Sequence, residues 1–322
     1  MCLTMLYSSE VQLLTTKTRW QQLSHPVLAR YQVQLWICAV DTAIPQVSGN
    51  KCLKLKYALA EVFSQQKSGV FTFGGAFSNH LSAVAASCKL LGLPSLAYVR
   101  SDSLDFNNPT LAFCAAQGMQ LKALDRSHYR QRHDAHFIRQ LQQHHPQLLS
   151  IPEGGTSAEG AKGVAELDLA TTPEGAADLI VCASASGGTL AGIINGHTTP
   201  VLGIAVVKDS TLPEKIKQLL LPQSSTRLWQ LSTDYTGAGY ARFDDGLLQF
   251  CRDMARHQLY VEPIYTGKAL AALFSMIQSG QIAAGSRVSF LHTGGLQGLH
   301  GLHYRGLITA TDLALLSGST AG

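Results

Sequence analysis

Short apolar runs rich in β-branched and aromatic residues alternate along this chain with segments whose apolar positions recur every three or four residues. YQVQLWICAV (31–40), GVFTFGG (69–75), SLAYVRS (95–101) and MQLKALD (119–125) read as strands, and DLIVCAS (178–184), VLGIAVV (201–207) and SRVSFLHTGG (286–295) continue the series. Between them lie helical patterns. Residues 51–62 set Leu55, Leu59 and Val62 on one face, and residues 78–92 do the same with Leu81, Val84, Ala85, Cys88 and Leu91. NPTLAFCAAQG, a polar segment RQRHDAHFIRQLQQHH and TLAGIING add further helices. Strand–helix alternation from end to end predicts an α/β fold on mostly parallel sheets. No Pro/Ser-rich linker, repeat or low-complexity stretch divides the chain, so two globules would be interwoven. The polar helix near 127–145 and the turn HHPQLLSIPEGG mark a crossing between them.

Composition narrows the class. Of 322 residues, 46% are apolar and 14% charged, which suits a compact enzyme-like globule and argues against disorder. The net charge of +4 is spread without a basic run, so neither nucleic acid nor a membrane surface is an expected partner. The seven cysteines (Cys2, Cys38, Cys52, Cys88, Cys114, Cys182 and Cys251) form no CxxC pair and sit mostly in apolar runs, which predicts buried free thiols in a reducing compartment. The first residues, MCLTMLYSSEVQLL, lack the basic flank and long apolar core of a signal peptide. No apolar run approaches the roughly 20 residues that span a bilayer. The expected location is cytoplasmic.

Candidate chemistry starts at SGNKCLKLKY, where Lys51 falls in the first turn of a helix, a place the helix dipole makes unfavourable for a cation. Glycine turns open helices elsewhere: FGGAFSNH, PEGGTSAEGAKG, ASASGGTLAG and HTGGLQG. Free N–H groups at such turns favour anions, and SASGGTLAG (184–192) is the best phosphate cradle among them. GxGxxG does not follow any strand, and YTGKA lacks the upstream glycine of a P-loop. HGLH (300–303) has no third metal ligand, and His133, His136, His144 and His145 read as a solvated helix face, so no metal is expected. A lysine in a polar helix start and a phosphate-type loop are the parts that hold pyridoxal phosphate covalently, because the amine must lose its proton to attack the aldehyde. These residues alone leave open the plainer reading of Lys51 as a surface side chain.

Together these stretches resemble the 1-aminocyclopropane-1-carboxylate deaminase and D-cysteine desulfhydrase family of pyridoxal-phosphate enzymes, from about residue 25 to the C-terminus. SGNKCLKLKY resembles the family's GGNK-x-x-KL segment, FGGAFSNHLSAVAA its SNH or SNQ helix start, PEGG its PxGG turn and SASGGTLAG its phosphate loop. GAGYAR, YTGKA and HTGGLQG match in order and spacing. Ser48 stands where the family usually has glycine, Leu53 where it often has arginine, and His80 where the aminocyclopropanecarboxylate deaminases have glutamine.

The resemblance implies fold type II, like the β-subunit of tryptophan synthase: two three-layer α/β/α domains, with residues 55–149 as a small domain inserted in a large one made of residues 1–54 and 150–322. It implies that Lys51 carries the cofactor and serves as base at Cα, and that Asn79 bonds the ring's 3-hydroxyl. Ser186, Gly187, Gly188, Thr189 and Leu190 would bind phosphate, Tyr265 would pack at the ring and reach the substrate, and Thr293 would face the pyridine nitrogen. Ser78, Asn79 and His80 would hold the substrate carboxylate. A homodimer is the expected assembly and a small amino acid the substrate. Deaminases of aminocyclopropanecarboxylate place glutamate after the tyrosine of YxGK, where this chain has Thr266. A hydroxyl there makes a weaker electron sink, which points to β-elimination from D-cysteine or a related β-substituted D-amino acid. The rivals are aminocyclopropanecarboxylate ring-opening and a catalytically silent cofactor-binding protein.

Overall fold

The computed structural model describes residues 16–42, 44–45, 47–236 and 242–319. Strands β1 (Lys17–Gln22) and β2 (Gln34–Asp41) precede a block of four, β3 (Gly69–Gly75), β4 (Ser95–Arg100), β5 (Gln120–Leu124) and β6 (Leu148–Ile151). A two-residue hairpin, β7 (Thr171–Thr172) with β8 (Gly175–Ala176), leads to β9 (Leu179–Ser184), β10 (Val201–Ala205), β11 (Trp229–Ser232) and β12 (Arg287–His292). The block of four is one sheet in the order β5-β4-β3-β6, parallel throughout. The larger sheet runs β1-β2-β12-β9-β10-β11 and is parallel except for β1, which is antiparallel to β2.

In β2, β9 and β12 consecutive residues are buried, as expected where helices cover both faces of a parallel sheet. Phe290 of β12 lies opposite Ile37 on one side and Val181 on the other, at the centre of that core. The Asn50–Ser64 helix ties the sheets together: Leu55, Leu59 and Val62 are fully buried in a cluster that also takes in Val70, Leu81 and Ile151 on one side and Ile180, Leu190 and Ile193 on the other. Burial of each such side chain stabilises by about 1.5–3 kcal/mol. The Ala158–Ala165 helix approaches it backbone to backbone, since a Cβ on Gly163 would stand 2.0 Å from the Leu53 carbonyl oxygen. The later glycines of PEGGTSAEGAKG are thus packing residues.

The elements read from the hydrophobic pattern are present, with one change. The polar segment near 127–145 is two helices, Arg126–Tyr129 and Ala135–His144, because Asp134 stops the run by accepting the Phe137 N–H as an N-cap. The break turns Arg132 and His133 toward the cleft described below. The edge strands β1 and β11 and the helices Asp245–Arg256 and Thr266–Gln278 lie outside the elements the pattern marks. Among the described residues, no helix is long and apolar enough to cross a membrane.

Candidate active site

The carboxyl ends of β3, β4, β9 and β12 meet at a cleft of about 540 Å³, the usual ligand position on open parallel sheets. The turn before the Asn50–Ser64 helix positions its lysine. Gly49 has φ 90°, and a Cβ there would lie 2.3 Å from the Thr293 carbonyl oxygen, so only glycine lets this turn seat against the HTGG turn. Ser48, in place of the family's glycine, accepts the Thr42 N–H at 3.0 Å and closes the same loop.

Lys51 Nζ donates to Asn50 Oδ1 at 2.9 Å, and Asn50 Nδ2 donates to Thr189 Oγ1 at 2.9 Å, so the lysine is linked to the SASGGTLAG loop. Burial lowers the Lys51 pKa to about 8 against the pull of the neighbouring Cys52 and Glu262. Desolvation, more than the helix end, sets that value. About one molecule in ten then holds a neutral amine at pH 7, against fewer than about one in a thousand for an ordinary lysine. The rate at which apoprotein captures pyridoxal phosphate is expected to rise about ten-fold per pH unit from pH 6 and level off above about 8. A rate independent of pH across that range contradicts the assignment.

The loop itself is built for an anion. Gly187 has φ 86° and opens the Gly188–Gly196 helix, whose first N–H groups are free of internal partners. Ser186 and Thr156 hydroxyls are 2.7 Å apart, and Lys54 Nζ donates to Thr156 Oγ1 at 3.0 Å. Lys54 is 1% exposed, and among the described residues no carboxylate pairs with it. Desolvation and the charge of Lys51 hold its pKa well below the usual lysine range. A buried amine without a counter-charge calls for an anion. A Cβ on Gly188 would lie 3.0 Å from Lys54 Nζ and 3.2 Å from Thr156 Cγ2, filling the space between loop and amine. These groups fit a phosphate dianion. Leu190 is fully buried with its side chain against Gly203, so it offers only its backbone N–H. Lys54, absent from the expected site, belongs to it; the second lysine of the KxxK spacing was the available signal.

On the opposite wall, Asn79 begins the Asn79–Leu90 helix and lies against the HTGG turn, 2.9 Å from where a Cβ on Gly295 would be. Thr266 and Thr293 hydroxyls are 3.0 Å apart. Thr293 lines the cleft while Thr266 is fully buried behind it. Tyr265 lines the cleft, its N–H held at 3.0 Å by Glu262. That buried carboxylate also accepts the Ile264 and Thr266 N–H groups and so caps the Thr266–Gln278 helix. Burial pushes Glu262 up to about 7, opposed by those same N–H groups. Ser78 accepts the Leu81 N–H as N-cap, which leaves its hydroxyl proton for a ligand.

The His80 side chain points away from a carboxylate-binding role. Its Nε2 lies 2.8 Å from Thr72 Oγ1, whose own proton goes to the Ile151 carbonyl, so Nε2 must be the donor. Nδ1 is then an acceptor, and the fall of the His80 pKa well below the usual histidine range, from burial and from Lys51 and Lys54, keeps the ring neutral. An acceptor ring cannot hold a carboxylate, so His80 can serve one only through its backbone N–H in the first turn of the Asn79–Leu90 helix. The histidines at 133–145 are not one solvated face either: His133 lines the cleft, and His145 Nε2 is 3.0 Å from the Tyr98 hydroxyl.

The six described cysteines other than Cys2 are buried and free. Burial pushes Cys38, Cys52, Cys88, Cys114 and Cys182 up to about 12, which makes them inert. Cys2 and all of GAGYAR but its arginine fall outside the described residues. Among the described residues His25, Asp253 and His257 form a group with metal-ligand spacing. His25 Nδ1 accepts the Val27 N–H at 3.1 Å, so Nε2 carries the proton toward Asp253 and lacks a lone pair for a metal.

The family described as "Pyridoxal-phosphate dependent enzyme" matches residues 22–294, and the chain belongs to it. Its cofactor is pyridoxal phosphate and its fold is type II. A Pyrococcus horikoshii protein named "Putative 1-aminocyclopropane-1-carboxylate deaminase" is 30% identical over 275 residues, covering 80% of this chain and 82% of its own. A Thermotoga maritima protein of the same name is 28% identical over 290 residues, covering 84% of this chain and 91% of its own. Among solved structures, one titled as an ACC deaminase homologue superposes with a TM-score of 0.75 at 24% identity, over 98% of this chain and 99% of that one.

Proposed function

We propose that the protein is a pyridoxal-phosphate-dependent lyase that performs β-elimination on a small β-substituted amino acid, D-cysteine or a close relative, releasing pyruvate and ammonia. The observation that carries this reading is the Thr266–Thr293 hydroxyl pair, 3.0 Å apart, beside a carboxylate, Glu262, already engaged by three backbone N–H groups. Hydroxyls can hydrogen-bond a pyridine nitrogen but do not hold a proton on it as a free carboxylate would.

Bound pyridoxal phosphate supplies an electron sink for charge that develops at the substrate Cα. Lys51, with its lowered pKa, takes the proton from Cα. The Ser78 hydroxyl and the first N–H groups of the Asn79–Leu90 helix hold the substrate carboxylate. Lys54, Ser186, Thr189 and the N–H groups of residues 187–190 anchor phosphate, and Asn79 orients the ring. Proton abstraction followed by departure of a good leaving group needs only a moderate sink. Opening a cyclopropane that has no Cα hydrogen needs a stronger one.

The names of the relatives favour a second reading, aminocyclopropanecarboxylate deamination. A panel of D- and L-cysteine, β-chloro-D-alanine and aminocyclopropanecarboxylate separates the two. Pyruvate from a D-substrate is expected to exceed 2-oxobutanoate from the cyclopropane by about ten-fold or more, one decade being about 1.4 kcal/mol of barrier. The reverse order overturns the proposal.

A further inference from the structure

A side cavity of about 70 Å³ opens beside the cleft and shares Gly75, Asn79, Arg100, Tyr265 and Gly295 with it. It has room for two or three water molecules at about 30 Å³ each, or for one small anionic group. Arg100, Arg305 and Glu262 bring charge to its wall. The carboxylate is spent on the N–H groups of Ile264, Tyr265 and Thr266. The arginines are not: among the described residues neither Arg100 nor Arg305 makes an ion pair. The other cations at the cleft mouth are matched, Arg132 by Glu153 and Lys215 by Asp209.

Both guanidinium groups are placed by aromatic rings. Arg100 Cζ is 5.7 Å from the centre of the Tyr129 ring, and Arg305 Cζ is 5.4 Å from that of Phe77. An aromatic neighbour accepts no strong hydrogen bond from a guanidinium, so N–H groups remain for an anion. Arg100 Nη2 is 3.6 Å from where a Cβ on Gly75 would be, and the Gly75 carbonyl accepts the Ser78 N–H. The unpaired cation therefore stands next to the helix start assigned to the substrate carboxylate.

We propose that this side cavity is a second anion subsite, and that the substrate is an amino acid whose β-substituent is a negatively charged leaving group bonded to Cβ through oxygen or sulfur, such as a tetrahedral oxyanion. The substrate class rests on the β-elimination reading; the subsite itself does not. In that reaction the Cα–H bond breaks with its proton going to Lys51, and the Cβ–X bond breaks with its electron pair going to X. Water hydrolyses the unsaturated three-carbon product to pyruvate and ammonium. Arg100 and Arg305 hold X as it leaves.

Calorimetric titration of the holoenzyme with alanine, aspartate and O-phosphoserine, each as both enantiomers, tests the subsite through binding. For the hand that binds, an anionic β-group is expected to tighten affinity about ten-fold or more over alanine. Arg100→Gln and Arg305→Gln, checked for wild-type melting temperature, should each lower that ratio about ten-fold, with part of it kept in Arg100→Lys. Aspartate, which has no β-leaving group, reports only whether the subsite accepts a planar anion, and phosphoserine reports the tetrahedral anion that can also leave. A wild-type ratio near one, or a ratio unmoved in both glutamine variants, overturns the subsite. Turnover of β-chloroalanine is read separately: its absence fails the elimination reading, while the affinity ratio still decides whether the anion subsite exists.

Discussion

Replacing Lys51 by alanine is expected to reduce turnover by about a thousand-fold or more and to abolish the visible absorbance of lysine-bound cofactor, while the fold survives. The size follows from two lost roles, covalent attachment and proton transfer at Cα, of which positioned acid–base chemistry alone contributes about 10²–10⁴-fold. Folding is spared because Lys51 reaches into the cleft and donates its hydrogen bond to the adjacent Asn50. Asn50 keeps its own bond to Thr189. Circular dichroism should match wild type, and melting of the apoprotein should not fall, since the buried amine with its depressed pKa is removed. A variant that keeps the band and more than a tenth of the activity contradicts the role.

Lys54→Met should move cofactor affinity and apoprotein stability in opposite directions. The methionine removes the amine that faces the phosphate loop, and a hydrogen bond to a charged group is worth about 1.5–3 kcal/mol, so affinity should fall about 10- to 100-fold. The apoprotein should gain stability, because an almost fully buried amine without a carboxylate partner is replaced by an apolar side chain of similar length. The pH dependence has a definite sign. A lysine whose folded pKa is depressed binds fewer protons folded than unfolded, so its contribution to stability rises with pH between the two values. The rise in apoprotein stability from neutral toward alkaline pH should therefore be shallower in Lys54→Met, with Lys51 supplying what remains. Equal cofactor affinity in variant and wild type, measured by equilibrium dialysis, contradicts the phosphate assignment.

The contrast between the two lysines shows what the sequence reveals. Lys51 follows a short polar turn whose order, SGNK, can be read locally. Lys54 fits the KxxK spacing from Lys51 but also stands in the run LKLK beside Lys56, a solvent-facing cation, so the spacing marks it without revealing its burial. Its burial comes from Thr156, 102 residues away, and from Gly188 beyond. Glu262 is silent for a similar reason, since its role is set by the N–H groups of the chain that folds back around it. The position of His80 at a helix start was legible, but its direction was not, because Thr72 and Ile151 choose the tautomer from another strand. The central strands β2, β9 and β12 are legible because burial on both faces writes unbroken apolar runs. Edge strand β1, KTRWQQ, is mostly exposed and is defined by pairing with β2. The same limit covers the arginines of the side cavity: each is an ordinary surface type in sequence, and the missing partner shows only in three dimensions.

The most direct test of the central claim is to reduce the holoenzyme with borohydride and map the modified peptide by mass spectrometry. The cofactor should be fixed on Lys51, in the peptide that begins the Asn50–Ser64 helix, with Lys54 unmodified. Cofactor fixed on Lys54, Lys268 or any other lysine would contradict the account.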